Sequence, residues 1–227
     1  MSPKVKTVYI CSKCGFESAK WTGKCPGCGE WNTMEEDVVV PSKTSSVSVS
    51  RVSAKATPLS QINYEGETRI VTGISELDRV LGGGIVAGSV VLLSGDPGIG
   101  KSTILLQICN ALQEKSKILY VSGEESALQI KMRAGRLGVE SDNVSIMTET
   151  DVMAVCEYIK SSSPDIVMID SIQTMEISEL SSSPGSIVQV RESTNMLLHT
   201  GKGMGIPVFI VGLQLWNTSY TSESICR

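Results

Sequence analysis

A chain of 227 residues, 41% hydrophobic and 19% charged, is long enough for one medium domain with a real core and a smaller appendage. Its formal net charge of −4 excludes a generally basic nucleic-acid coat and leaves any DNA contact to a local patch or an oligomer groove. No apolar run approaches the roughly 18 residues of a membrane span, and the start MSPKVKTVYICSKCG has no apolar stretch of the secretory kind.

A cytoplasmic location is therefore expected, and the seven cysteines read as metal ligands or core residues before disulfides. Residues 1–36 form a four-cysteine module: Cys11 and Cys14, then Cys25 and Cys28, with Gly15 and Gly29 after each pair. Each Cys-x2-Cys pair sets two thiolates on one tight turn, and two facing turns complete a tetrahedral S4 site suited to Zn²⁺. Four protein ligands leave no position for water, so the zinc is structural. The segment has too few aliphatic residues for a core of its own, so metal binding has to supply most of its folding free energy. Trp21 and Trp31 are expected to pack around the module rather than stack on bases. Lys13, Lys20 and Lys24 are its better candidates for DNA contact.

Residues 37–58 are Ser/Thr-rich with scattered Lys and Arg and no helical period, a flexible linker by composition. From 59 to 212, apolar runs alternate with amphipathic ones, as in an α/β domain. Strands are expected at Ser89–Gly95, Lys117–Ser122, Val144–Met147, Asp165–Asp170 and Pro207–Val211. Helices are expected at Lys101–Glu114, Ala127–Leu137, Val152–Lys160 and Ser186–His199. The strands are short continuous apolar runs, the pattern of a mostly parallel sheet with helices on both faces.

Gly95, Asp96, Pro97, Gly98, Ile99, Gly100, Lys101 and Ser102 fit G-x-x-x-x-G-K-[ST] in full, after a strand and before a helix. The glycines let backbone N–H groups close around phosphate oxygens, and the helix N-terminus adds partial positive charge. This is an ATP site in which Lys101 reaches the β and γ phosphates, Ser102 ligates Mg²⁺ and Thr103 assists. Asp170 ends an apolar strand at the sheet's C-terminal edge, where a carboxylate holds Mg²⁺ through water. Glu124 and Glu125 follow a strand expected to neighbour the P-loop strand, and either could orient the water that attacks the γ-phosphate. The alternative is helix capping, since Ser122 and Glu125 have capping-box spacing.

Other polar residues read as structural. His199 sits near the end of its expected helix, which stops before Gly201, and is solvated or caps the helix C-terminus. Cys109 and Cys156 fall at core positions. Lys131, Arg133 and Arg136 read as a solvated helix face.

Together these residues resemble the RadA (Sms) family of bacterial DNA-repair ATPases, a branch of the RecA-like ATPases. The likeness starts at Tyr9-Ile-Cys-Ser-Lys-Cys-Gly and Lys20-Trp-Thr-Gly-Lys-Cys-Pro-Gly-Cys and runs on through the stretch from Thr72 to Ser89. The P-loop, Tyr120-Val-Ser-Gly-Glu-Glu-Ser, Asp170-Ser-Ile-Gln-Thr and Ile206-Pro-Val-Phe-Ile-Val-Gly follow in family order. The resemblance implies an ATPase that binds single-stranded DNA and forms a ring, a hexamer. It also implies branch migration of recombination intermediates beside a RecA-type recombinase. Carried over, Lys101, Ser102 and Thr103 bind nucleotide and Mg²⁺, Asp170 is the Walker-B carboxylate and Glu124 or Glu125 is catalytic. Met175–Ser186 falls where such folds place a DNA-facing loop, although it holds no Lys or Arg.

After Gly212 the family continues with His-Val-Thr-Lys-Glu-Gly, a Lys-Asn-Arg-Phe-Gly motif and a Lon-protease-like domain. Here residues 213–227 read LQLWNTSYTSESICR, which reads as a frameshift, an assembly error or a natural truncation. A sheet ending at Val211 is expected to expose an unpaired edge, keeping nucleotide binding and losing coupled DNA work. Two other readings stand beside the leading one. One is a signalling or clock-type RecA-like ATPase, against which the zinc module argues. The other is a zinc-bearing ATP-binding chain without turnover.

Overall fold

The computed structural model describes residues 6–12, 16–39, 58, 61 and 69–212. The expectations for Lys13, Cys14 and Gly15, for most of the 37–58 linker and for the 213–227 tail lie outside the described residues. Among the described residues no helix is long and apolar enough to cross a membrane.

The cysteine module is a small antiparallel sheet in the order β2-β1-β3, from β1 (Lys6–Cys11), β2 (Glu17–Ser18) and β3 (Met34–Val39). Ladder pairing of Thr7 with Val38 and Lys6 with Val39 carries β3 into the stretch whose composition reads as linker. Its buried apolar cluster is Cys11, Cys25 and Met34, with Tyr9 packed against it. That is far too little to offset the chain entropy of ordering the segment.

The second unit is a five-stranded parallel sheet. Its elements are α1 (Ser75–Val80), β4 (Val90–Ser94), α2 (Lys101–Leu112), β5 (Ile118–Ser122) and α3 (Ala127–Arg136). They continue with β6 (Val144–Met147), α4 (Val152–Ser162), β7 (Ile166–Asp170), α5 (Ile187–Met204) and β8 (Val208–Gly212). The strand order is β4-β8-β7-β5-β6. Alternate residues of the central strands feed two cores, which explains their uninterrupted apolar sequence. Ile118, Tyr120, Met168 and Phe209 face α2 and α3, while Leu119, Val121, Val167 and Ile210 face α4 and α5.

One expectation about the sheet is corrected. The strand bearing Glu124 and Glu125 at its end does not neighbour the P-loop strand, because β8 and β7 lie between β5 and β4. Adjacency in sequence suggested the pairing, but the crossover through β8 fills the place beside β4. Strand β8 is itself paired with β4 on one side and β7 on the other. The edge strands among the described residues are β4 and β6, and Leu92 of β4 is 61% exposed.

Helix α5 is longer than expected. Gly201, read as a terminator, lies inside it, buried where a Cβ would sit 2.6 Å from Val208 Cγ2 and 2.8 Å from the Ile206 carbonyl oxygen. It is there for close helix–strand approach. The left-handed cap falls at Gly205 (φ 70°), which leaves His199 exposed on the body of the helix. Cys109 and Cys156 are buried in the two cores as expected, and burial pushes the Cys109 thiol up to about 12.

Candidate nucleotide site and cysteine centre

β4 ends at Ser94 and the chain turns through Gly95 (φ 153°), Gly98 (φ 78°) and Gly100 (φ 100°) before α2 starts at Lys101. The values at Gly98 and Gly100 are left-handed and unfavourable for any residue with a Cβ. Gly100 is the helix N-cap, with no side-chain cap, so the first turn of α2 keeps N–H groups available for an anion. Lys101 Nζ donates to the carbonyl oxygens of Gly95 and Asp96, 2.8 Å each. The ammonium is thus folded over the loop that would hold the phosphates, and phosphate oxygens could replace these two carbonyls as acceptors.

In register, Ser94 pairs with Gly212 on β8 and Ser122 on β5 pairs with Asp170 on β7. The P-loop and Asp170 therefore flank the end of β8 at one edge of the sheet. Asp170 is buried (9% exposed), and its Oδ2 accepts a hydrogen bond from the Tyr120 hydroxyl. Burial first, then the neighbouring Asp170 charge, pushes the Tyr120 phenol far above its ordinary value, so Tyr120 stays a donor and fixes one carboxylate oxygen. Sequence reasoning missed this residue. Its signal was a phenol inside the apolar run Ile118-Leu-Tyr-Val, since a buried tyrosine needs a partner.

Glu124 and Glu125 separate cleanly. Glu124 Oε1 accepts from Ser171 Oγ at 2.7 Å, beside Asp170. Glu125 Oε1 instead pairs with Arg133 of α3, which takes Arg133 off the solvated face expected of it. The capping box is also displaced: Ser126 and Gln129 cap α3, while Ser122 Oγ lies within reach of the Glu124 and Glu125 amides. Gly123 sits where a Cβ would meet Thr174 Oγ1 at 2.5 Å and Thr150 Cγ2 at 2.8 Å. Gly123→Ala is expected to destabilise the chain by about 1–3 kcal/mol through overpacking, read as a lower denaturant midpoint. An unchanged midpoint would mean that the Thr150–Thr174 contact is loose.

Met175–Ser186 is anchored rather than free. Gln189 of α5 accepts from Ile177 N (2.9 Å) and donates to the carbonyls of Ile177 (3.3 Å) and Ser182 (2.9 Å). Met175 and Ile177 are buried, and the exposed part is Ser178, Glu179, Ser181, Ser183 and Pro184.

In the cysteine module the sulfurs of Cys11, Cys25 and Cys28 lie within 4.8 Å of one another, with Cys11 and Cys28 at 3.7 Å. Four thiolates at about 2.3 Å from Zn²⁺ in a tetrahedron stand about 3.8 Å apart, so the spacing fits the metal. It is far from a disulfide bond of about 2.05 Å. Gly27 N donates to Cys25 Sγ at 3.3 Å, and Gly29 turns at φ 77°. Trp21 and Trp31, expected to pack around the module, lie on its outside, 56% and 68% exposed. Both rings come within 4 Å of the Cβ position of Gly23, and the Lys24 ammonium lies 5.8 Å over the Trp31 ring.

Residues 9–36 match a family model described as a rubredoxin metal binding domain, and residues 70–153 match an ATPase model described as KaiC. The DNA repair protein RadA of Halalkalibacterium halodurans is 49% identical over 213 residues, covering 92% of this chain and 47% of its own length. The protein of that name from Bacillus subtilis is 47% identical over 215 residues, with 92% and 47% covered. That from Listeria monocytogenes is 51% identical over 212 residues, with 92% and 46% covered. The chain spans about half the length of the curated relatives it matches. With its four-cysteine segment and parallel, RecA-like P-loop core, this chain is similar to the bacterial proteins named DNA repair protein RadA.

Proposed function

We propose that this chain is an ATP-hydrolysing DNA-repair ATPase whose turnover depends on single-stranded DNA. The observation that carries the reading is the convergence at one sheet edge of a complete P-loop, the buried Asp170 and the Ser171-held Glu124. Lys101 and the α2 N-terminus bind the phosphates, with Gly95–Gly100 as the cradle. Ser102 and Asp170 would hold Mg²⁺, which supplies charge neutralisation at the phosphates when bound, and Thr103 supports Ser102. Glu124 orients the attacking water. Glu125 is a positioning residue, tied to Arg133 and unavailable for that task. Cys11, Cys14, Cys25 and Cys28 hold a structural Zn²⁺.

The residue ranges proposed are 1–36 for the zinc module, 37–58 for the linker, 59–212 for the ATPase core and 213–227 for the atypical tail. In the cytoplasm the chain would act in a homo-oligomeric, hexameric ring on branched recombination intermediates, by branch migration, beside a RecA-type recombinase. The names of its relatives and the zinc module support this reading over a signalling ATPase.

Glu124→Gln tests the assignment of the water-orienting group. ATP affinity, read with a fluorescent analogue, should stay within about threefold of the parent. Turnover should fall by about 10²–10⁴. If Glu125→Gln shows that loss and Glu124→Gln does not, the assignment is wrong.

A further inference from the structure

Gln173 lies in the short 3-10 turn Ile172–Thr174, directly after β7 and Asp170. Both amide atoms, Nε2 and Oε1, are sealed from solvent, and neither has a hydrogen-bond partner among the described residues. The fold treats its two fully or nearly buried glutamines differently. Gln189 makes three bonds to main chain, and Gln113 is satisfied by Asn110, Gly138, Glu140 and Ser141. A buried amide without partners is costly, and an apolar side chain of the same shape would avoid that cost.

Its position suggests what the amide is for. On one side, Gln173 Nε2 is 3.6 Å from where a Cβ on Gly212 would stand. Gly212 is the register partner of Ser94, the residue before P-loop Gly95. On the other side, the Gln173 carbonyl oxygen is 3.3 Å from the Cβ position of Gly185, which precedes the Ser186 cap of α5. The neighbours in the same turn complete the set: Ser171 donates to Glu124 and Thr174 abuts Gly123. One turn thus touches the strand end beside the P-loop, the Glu124 loop and the base of the 175–186 segment.

We infer that Gln173 is the positioning residue through which nucleotide at the P-loop sets the conformation of the 175–186 segment. Its Nε2 is a spare donor on the β8 side, open to a main-chain carbonyl of the neighbouring loops once nucleotide rearranges the P-loop. Its main chain is packed against the segment that must respond. A shift of the turn is passed on through Gly185, while Gln189 holds Ile177 and Ser182 as a fixed point. This rests on the nucleotide-binding reading of the P-loop, but not on hydrolysis.

The test is hydrogen exchange on the full zinc-loaded chain, with and without a non-hydrolysable ATP analogue and Mg²⁺. In the parent, peptides covering 175–186 should exchange at least about fivefold more slowly with analogue bound. Gln173→Met, which fills the same space without an amide, should melt no lower than the parent and bind the analogue within about threefold. It should lose the nucleotide-dependent slowing. Gln173→Glu, which keeps an acceptor and loses the donor, should lose it too. Persistence of the slowing in Gln173→Met would overturn the inference, as would its absence from the analogue-bound parent. Loss of affinity in step with the slowing would also overturn it, by making Gln173 a ligand-binding residue. Failure of the parent to bind analogue at all would sink the nucleotide-site reading, and this inference with it.

Discussion

Lys101→Ala is expected to lower nucleotide affinity and turnover together, with turnover down by at least about 10²-fold, the loss typical of removing one preorganised donor from developing charge. The physical reason is the placement of the ammonium. It sits on the first turn of α2 and already spans the loop to the Gly95 and Asp96 carbonyls, so it needs no rearrangement to meet phosphate oxygens. The fold should tolerate the change, because Lys101 is only half-buried and lies outside both apolar clusters. Isothermal titration and phosphate release check the two effects, and an unchanged melting midpoint separates them from unfolding. Retained affinity in Lys101→Ala would mean that the phosphates bind elsewhere.

Removal of the metal is expected to unfold the cysteine module and leave the parallel-sheet unit standing. The module buries only Cys11, Cys25 and Met34 as a cluster, and small zinc sites contribute about 10–16 kcal/mol of apparent binding free energy that is folding free energy. Cys25→Ser, or a strong chelator, should therefore strip the zinc and erase exchange protection in the β1–β3 ladder, while peptides from β5, β7 and β8 keep theirs. Nucleotide binding should persist, since the P-loop draws on β4 and α2 alone. A module that stays protected after zinc loss would contradict this. So would a parallel sheet that melts with it.

The sequence showed the element types in the P-loop unit because each strand there is a short apolar run and each helix an amphipathic one. It did not show strand order. Local pattern carries no information about which strand is inserted beside which, so β5 was set next to β4 when β8 and β7 stand between. The P-loop was legible because its glycines must occupy fixed places before a Lys and a Ser. The choice between Glu124 and Glu125 was not, since it depends on Ser171 and Arg133, 47 and 8 residues away along the chain. Gly201 misled for a similar reason: a glycine serving close packing against β8 looks, in sequence, like a glycine ending a helix. Tyr120 and Gln173 became visible only once burial showed which polar groups have partners and which do not.

The most direct single measurement is phosphate release from ATP by the zinc-loaded chain, with and without single-stranded DNA. The account predicts turnover that rises with DNA and disappears in Lys101→Ala. Turnover indifferent to DNA, or none despite bound ATP, would contradict it.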